Sequence, residues 1–198
     1  MVKSQTRMVL FCGLAMLGAL VPSVSLSGPI FEERGTLTVG VLVQQGMLVG
    51  DAAPTDEFDT GTGYGMRLRY YLGSSRAFGI SFENQVFDAK PSSLSADQPE
   101  EFRAAVVTLD YLWYFDRKSI LSRYATVGLG VHHPVSEYKL DTKPGRDGIV
   151  GCIGGGLEYF FHRSTSIDIS VKGYGLLGQG GFLGSVEVAG GISFYIID

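Results

Sequence analysis

Gly63-Tyr64-Gly65-Met66-Arg67-Leu68-Arg69-Tyr70-Tyr71-Leu72-Gly73-Ser74-Ser75-Arg76-Ala77-Phe78-Gly79-Ile80-Ser81-Phe82-Glu83 is the stretch on which the fold turns. Up to Leu72 the even positions are bulky (Tyr64, Met66, Leu68, Tyr70, Leu72), while the odd positions read Gly63, Gly65, Arg67, Arg69, Tyr71. After Gly73-Ser74-Ser75-Arg76 the alternation resumes, with Phe78, Ile80 and Phe82 set against Gly79, Ser81 and Glu83. A period of two is the period of a β-strand, and a short turn between two such runs makes an antiparallel hairpin.

The same period runs outward in both directions. Leu37, Val39, Val41 and Val43 share one face. Ala105, Val107, Leu109, Tyr111, Trp113 and Phe115 share another, as do Ala125, Val127, Leu129 and Val131. Ile149, Ile153, Leu157 and Tyr159 continue the pattern, followed by Ile167, Ile169 and Val171, and then by Val186, Val188, Ile192, Phe194 and Ile196. Eight strands are expected, over about 35–45, 61–72, 76–87, 102–115, 123–133, 147–161, 165–177 and 183–197. Beyond the N-terminal leader no run reaches the 18 apolar residues of a membrane helix.

Alternation leaves open which face meets the outside, because a soluble lipocalin-like barrel would hide the same apolar face. Three observations point outward. The polar face combines small residues with Arg67, Arg69, Glu83, Asp110, Glu158, Asp168, Lys172 and Glu187, a mixture suited to a narrow filled lumen. Counting from the short turn, Arg67 is expected opposite Glu83, forming a charge pair.

The connections then alternate between short turns near 73–76, 116–122 and 162–164 and longer polar stretches at 46–60, 88–101 and 139–147. The connection at 178–181 is a brief exception. Short turns at one end and long loops at the other mark an outer-membrane barrel. Finally, aromatics gather at the short-turn side. Tyr70, Phe78, Trp113, Phe115, Tyr124, Tyr159, Phe161 and Phe194 read as a periplasmic girdle, with Tyr71 and Tyr195 beside them; Phe87, Phe102, Tyr138 and Phe182 form a thinner opposite rim.

The N-terminus supplies the route. Lys3 and Arg7 precede an apolar run from Met8 to Val21, followed by Pro22 and Ser23-Val24-Ser25-Leu26-Ser27, the order of a secretory signal peptide cleaved after Ser27. Residues 28–198 then form one barrel domain. Loss of two positive charges takes the net charge from −4 to −6. With no basic block, a nucleic-acid partner is excluded. Charged residues are only 18% of the 198, and Gly reaches 28 without a collagen period. Removal of Cys12 leaves Cys152 alone, so no internal disulfide forms.

Arg123-Tyr124-Ala125-Thr126-Val127-Gly128-Leu129-Gly130-Val131, Gly154-Gly155-Gly156-Leu157-Glu158-Tyr159-Phe160-Phe161 and Gly190-Gly191-Ile192-Ser193-Phe194-Tyr195 resemble the OmpA/OmpX-type small outer-membrane β-barrel superfamily. The resemblance covers residues 35 to 197. It implies an all-β, eight-stranded antiparallel up-and-down transmembrane β-barrel in the cell outer membrane of a Gram-negative envelope, inserted by the outer-membrane assembly machinery. Family members usually end on an aromatic residue, whereas this chain ends Tyr195-Ile196-Ile197-Asp198.

Three roles follow. One is a monomeric structural or surface-interaction barrel with a largely plugged lumen, contacting lipids and lipopolysaccharide, its acidic loops Asp51 to Asp59 and Asp97 to Glu101 facing outward. Another is a narrow, porin-like channel for ions or small solutes. The third is a lipid A-modifying enzyme, for which His132-His133-Pro134-Val135-Ser136 is the candidate His/Ser group. Adjacent histidines on a strand point to opposite faces, Pro134 is expected to interrupt the strand, and no third group orients a base, so no catalytic residue is assigned. The same divergence disfavours a metal site, and no cofactor is expected.

Overall fold

The computed structural model describes residues 35–50, 58, 60–90, 100–115, 120–138, 141–145, 147–177 and 183–196. The leader, most of both acidic loops, Phe182, the connection at 178–182 and the last two residues lie outside them. The strands are β1 (Leu37–Gly50), β2 (Gly61–Tyr71), β3 (Arg76–Asp88), β4 (Glu101–Tyr114), β5 (Leu121–Tyr138), β6 (Asp141–Pro144), β7 (Gly148–His162), β8 (Thr165–Leu177) and β9 (Leu183–Ile196). Every pairing is antiparallel. The order β4-β3-β2-β1-β9-β8-β7-β5, with β4 also paired to β5, closes eight strands into a barrel. The eight barrel strands, of 11 to 18 residues, match or exceed the 9–11 that a tilted strand needs to cross a bilayer.

Closure explains which side chains face where. A closed sheet pairs every ladder N–H and C=O internally, so it tolerates hydrocarbon around it, and outward residues need only be apolar. Val43 is 69% exposed and Ile153 67%, while Arg67 is 7% exposed and Glu158 0%. This inverts the arrangement of a soluble barrel, and the apolar face is the outer one. Aliphatic residues such as Val41, Leu68, Leu129, Ile153 and Ile169 coat the barrel, and charged and hydroxylated residues fill it.

The loop end departs from expectation in three places. β5 does not stop at 133 but continues through Pro134 to Tyr138. The residue's missing donor faces the side on which pairing to β7 ends at His132 and pairing to β6 begins at Val135; there the Pro134 carbonyl accepts from Gly145 N at 2.7 Å. A proline fits at such a break because no ladder donor is required of it. The polar stretch 139–147, expected as a loop, supplies β6, which pairs only with the end of β5 and stands outside the barrel proper. β1 likewise runs to Gly50, five residues further than its alternation predicts, because β9 carries partners for it as far as Leu183.

Candidate functional site in the lumen

The lumen is best described in layers, beginning at the short-turn end. Tyr71, Tyr114, Tyr124, Phe160 and Tyr195 project inward there and pack with Ala77 and Leu112. Tyr71 Oη lies 2.9 Å from Tyr114 Oη and 3.1 Å from Tyr195 Oη, so the hydroxyls form a chain across the barrel. Tyr195 then donates to Glu158 Oε1 at 2.6 Å, as does Ser166 Oγ at 2.6 Å.

Tyr124 belongs to this layer and not to the outer girdle. Its even position in β5 points it inward, opposite Gly156 on β7, where a Cβ would fall 2.6 Å from the tyrosine Oη. The absent side chain of Gly156 makes room for the ring, and the hydroxyl donates to Asp168 Oδ2 at 2.8 Å. Tyr71 and Tyr195 are inside for the same reason of parity. Tyr70, Phe78, Trp113, Phe115, Phe161 and Phe194 are exposed on the outside, with Tyr159 half-buried among them. On that surface Tyr111 stands edge-on to both Phe78 and Trp113.

Above the tyrosines lies the charge network. Glu158 and Asp168 sit directly opposite each other on β7 and β8, which would be repulsive without a cation. Arg69 reaches across from β2, with Nη2 3.3 Å from Asp168 Oδ2 and Nη1 3.7 Å from Glu158 Oε2; its guanidinium stacks on Tyr124 at 4.9 Å. Arg67, one step higher, donates to Asp168 Oδ1 at 3.1 Å and Ser170 Oγ at 3.1 Å.

Arg67 also lies 3.5 Å from Glu83 Oε1, but the register is not the expected one. Ser81 is opposite Arg67, and Glu83 is opposite Gly65, so the pair forms diagonally along β3. The length of the arginine side chain spans a two-residue offset that counting from the turn missed. Lys172 continues the ladder to Glu83 Oε1 at 3.2 Å and Asp110 Oδ2 at 3.1 Å. Asp110 also accepts from Ser81 Oγ at 2.7 Å and from Cys152 Sγ at 3.3 Å, and Tyr174 donates to Glu83 Oε2. Glu187 accepts from Ser185 Oγ at 3.1 Å.

All eight charged residues of the polar face are therefore buried in the lumen, and seven are linked by ion pairs. Of the hydroxyls that complete these carboxylates, residue type points those of Tyr124 and Tyr195 to the girdle and passes over those of Tyr174 and the serines, although alternation points all of them inward. Beside Arg67, Asp110 and Lys172 is a cavity of about 10 Å³. Another, of about 20 Å³, lies nearer the loops.

The loop end carries different chemistry. Phe58, Phe87 and Phe102 form a buried cluster with Leu48, Ala89 and Ala104 packed against it. Phe87 and Phe102 are thus inside, not on the rim, again as their strand parity requires. Phe58 is brought in from the connection between β1 and β2 by a bridge to Ala89.

His132 and His133 diverge. His132 lines the upper cavity, whereas His133 is on the outside, its Nδ1 2.5 Å from Asp147 Oδ1. Asp147 is an orienting carboxylate that the sequence did not reveal. No group of three or more His, Cys, Asp or Glu suited to a metal occurs among the described residues.

The comparison with solved structures is decisive for architecture. Neisserial surface protein A superposes with a TM-score of 0.61 at 12% identity, covering 81% of this chain and 98% of its own. The fold is that of the small OmpA/OmpX-type outer-membrane β-barrels. Ail, the attachment invasion locus protein of Yersinia pestis, gives 0.54 at 16% identity, with 82% and 100% covered. OprG of Pseudomonas aeruginosa gives 0.55 at 11%, with 85% and 99% covered. Neither a family model nor a curated protein matches the chain.

Proposed function

We propose that this chain is exported on its N-terminal leader, inserted into the outer membrane by the assembly machinery, and resides there as a monomer among lipids and lipopolysaccharide. Its role is structural and surface-interacting, without catalysis, and its lumen is closed to solutes. The observation that carries the closed lumen is the stack just described: a tyrosine layer, a continuous ion-pair ladder and a phenylalanine layer, interrupted by cavities of only about 20 and 10 Å³. An eight-stranded barrel leaves an interior just wide enough for side chains, and these side chains occupy it. A surface role is in keeping with two of the similar structures, whose names are those of a surface protein and an attachment invasion locus protein.

Single-channel recording in planar bilayers tests the reading. The folded wild type, Arg67→Ala and Glu83→Ala are each expected to be silent, because removing one side chain leaves the layers above and below in place. Discrete conductance in the wild type that rises in either variant would instead establish a narrow channel gated by the ladder.

A further inference from the structure

The ladder ends unevenly. Buried in the lumen are the cations Arg67, Arg69 and Lys172 and the carboxylates Glu83, Asp110, Glu158, Asp168 and Glu187. The first four carboxylates each lie within 3.7 Å of a cation. Glu187 has no such partner among the described residues. Lys172 is its cross-strand neighbour, yet the ammonium turns away to Glu83 and Asp110. A buried carboxylate without a counter-charge is expensive, so either a proton or a bound cation must balance it.

What surrounds Glu187 is a built site. The cavity of about 20 Å³ beside it is lined by Gln44, Gln85, Glu83, Tyr174, Ser185 and His132, with the phenylalanine layer as its lid. That volume admits one particle of about the size of a water molecule. Gln44 is 5% exposed, and neither polar atom of its side chain has a hydrogen-bond partner; Gln85 Nε2, His132 Nδ1 and Glu187 Oε2 are also without one. Gly46, opposite Glu187 on β1, keeps the space open, since a Cβ there would lie 2.7 Å from Gln85 Nε2 and 3.1 Å from Glu187 Cγ.

We propose that this cavity binds one small alkali cation such as sodium, held by the Glu187 carboxylate and the Gln44 side-chain carbonyl beneath the phenylalanine lid. A water molecule would satisfy the hydrogen bonds but leave the charge. A divalent ion would need a second free carboxylate, and Glu83 is already committed to Arg67, Lys172 and Tyr174. A single positive charge balances Glu187 in its ionised form. The site stands apart from the question of conduction, because it concerns an ion that stays.

The test uses the full barrel folded in detergent micelles and unfolded with urea, in sodium chloride against choline chloride at fixed ionic strength. A ligand that binds only the folded state multiplies the folded-to-unfolded ratio by up to ten for each tenfold rise in its concentration above Kd. That slope is expected for sodium in the wild type and absent in choline. Glu187→Gln is expected to abolish it, and Gln44→Met, which preserves side-chain bulk, to weaken it several-fold. Equal ratios in the two salts overturn the proposal and assign the charge balance to a proton on Glu187. A sodium slope undiminished in both variants overturns it as well, placing the ion elsewhere. If Glu187→Gln does not fold, the wild-type slope and Gln44→Met decide the matter.

Discussion

Aromatic rings form a layer at each end of the lumen, yet the two layers differ in how they treat the charges next to them. At the short-turn end all the rings but Phe160 carry hydroxyls, and those of Tyr195 and Tyr124 donate to Glu158 and Asp168, so the layer solvates its nearest carboxylates. At the loop end Phe58, Phe87 and Phe102 bring no polar atom, and beneath them lie Gln44, neither of whose polar atoms has a partner, and Gln85 Nε2 and Glu187 Oε2, which also lack one. One layer is wired into the ladder and the other merely covers it. In a wall-to-wall filled interior, a hydroxyl at the end of a ring therefore decides whether the neighbouring charge is held by the protein or must be balanced by something else.

The largest break in this contrast should come from Asp168→Ala. It strips both arginines and Tyr124 of their shared acceptor and leaves buried positive charge, which costs about 3–5 kcal/mol. Urea unfolding followed by the heat-dependent shift in gel mobility would read it, and a loss below about 1 kcal/mol would mean that water enters the lumen freely. Phe87→Ala at the opposite end removes a buried ring and is expected to cost about 3 kcal/mol by cavity formation alone. Its loss should not change with sodium if the lid only covers, and should grow with sodium if the lid retains an ion. A smaller effect distinguishes the layers directly. Tyr195→Phe keeps the ring but deprives Glu158 and Tyr71 of a hydroxyl, at about 1–3 kcal/mol. Smallest of all, Pro134→Ala should change stability by no more than about 0.5 kcal/mol, because the break between β6 and β7 asks no donor of that residue. A large loss would show that the proline ring itself holds the end of β5.

Nearly all of the barrel was legible in the alternation of residues, since a period of two assigns faces without reference to partners. The hairpin 63–83 alone placed Arg67, Arg69 and Glu83 on one side and Leu68, Ile80 and Phe82 on the other. Where the reading slipped, it set parity aside in favour of residue type. Tyr124, Tyr71, Tyr195, Phe87 and Phe102 were assigned to membrane rims because aromatics favour interfaces, although each occupies an inward position in its strand. The ladder itself was out of reach for another reason. Arg67 and Asp168 come from β2 and β8, which are not neighbours in the sheet, and their contact depends on barrel width and side-chain length. β6 was missed because four residues at 141–144 are too few to show a period, and pairing with the long end of β5 makes them a strand.

The seam between β1 and β9 bears on how the molecule comes into being. Leu37 pairs with Ile196 and Gly50 with Leu183, so the first and last strands of the barrel are each other's neighbours. Hydrogen bonds joining such distant parts of a chain carry the full entropy of closing that loop, and they form late. Until they do, two open edges and the side chains of a charged interior face whatever surrounds the chain, and a partly assembled barrel has no stable resting point in hydrocarbon. The last strand thus acts as a latch: only its pairing with the first removes both open edges.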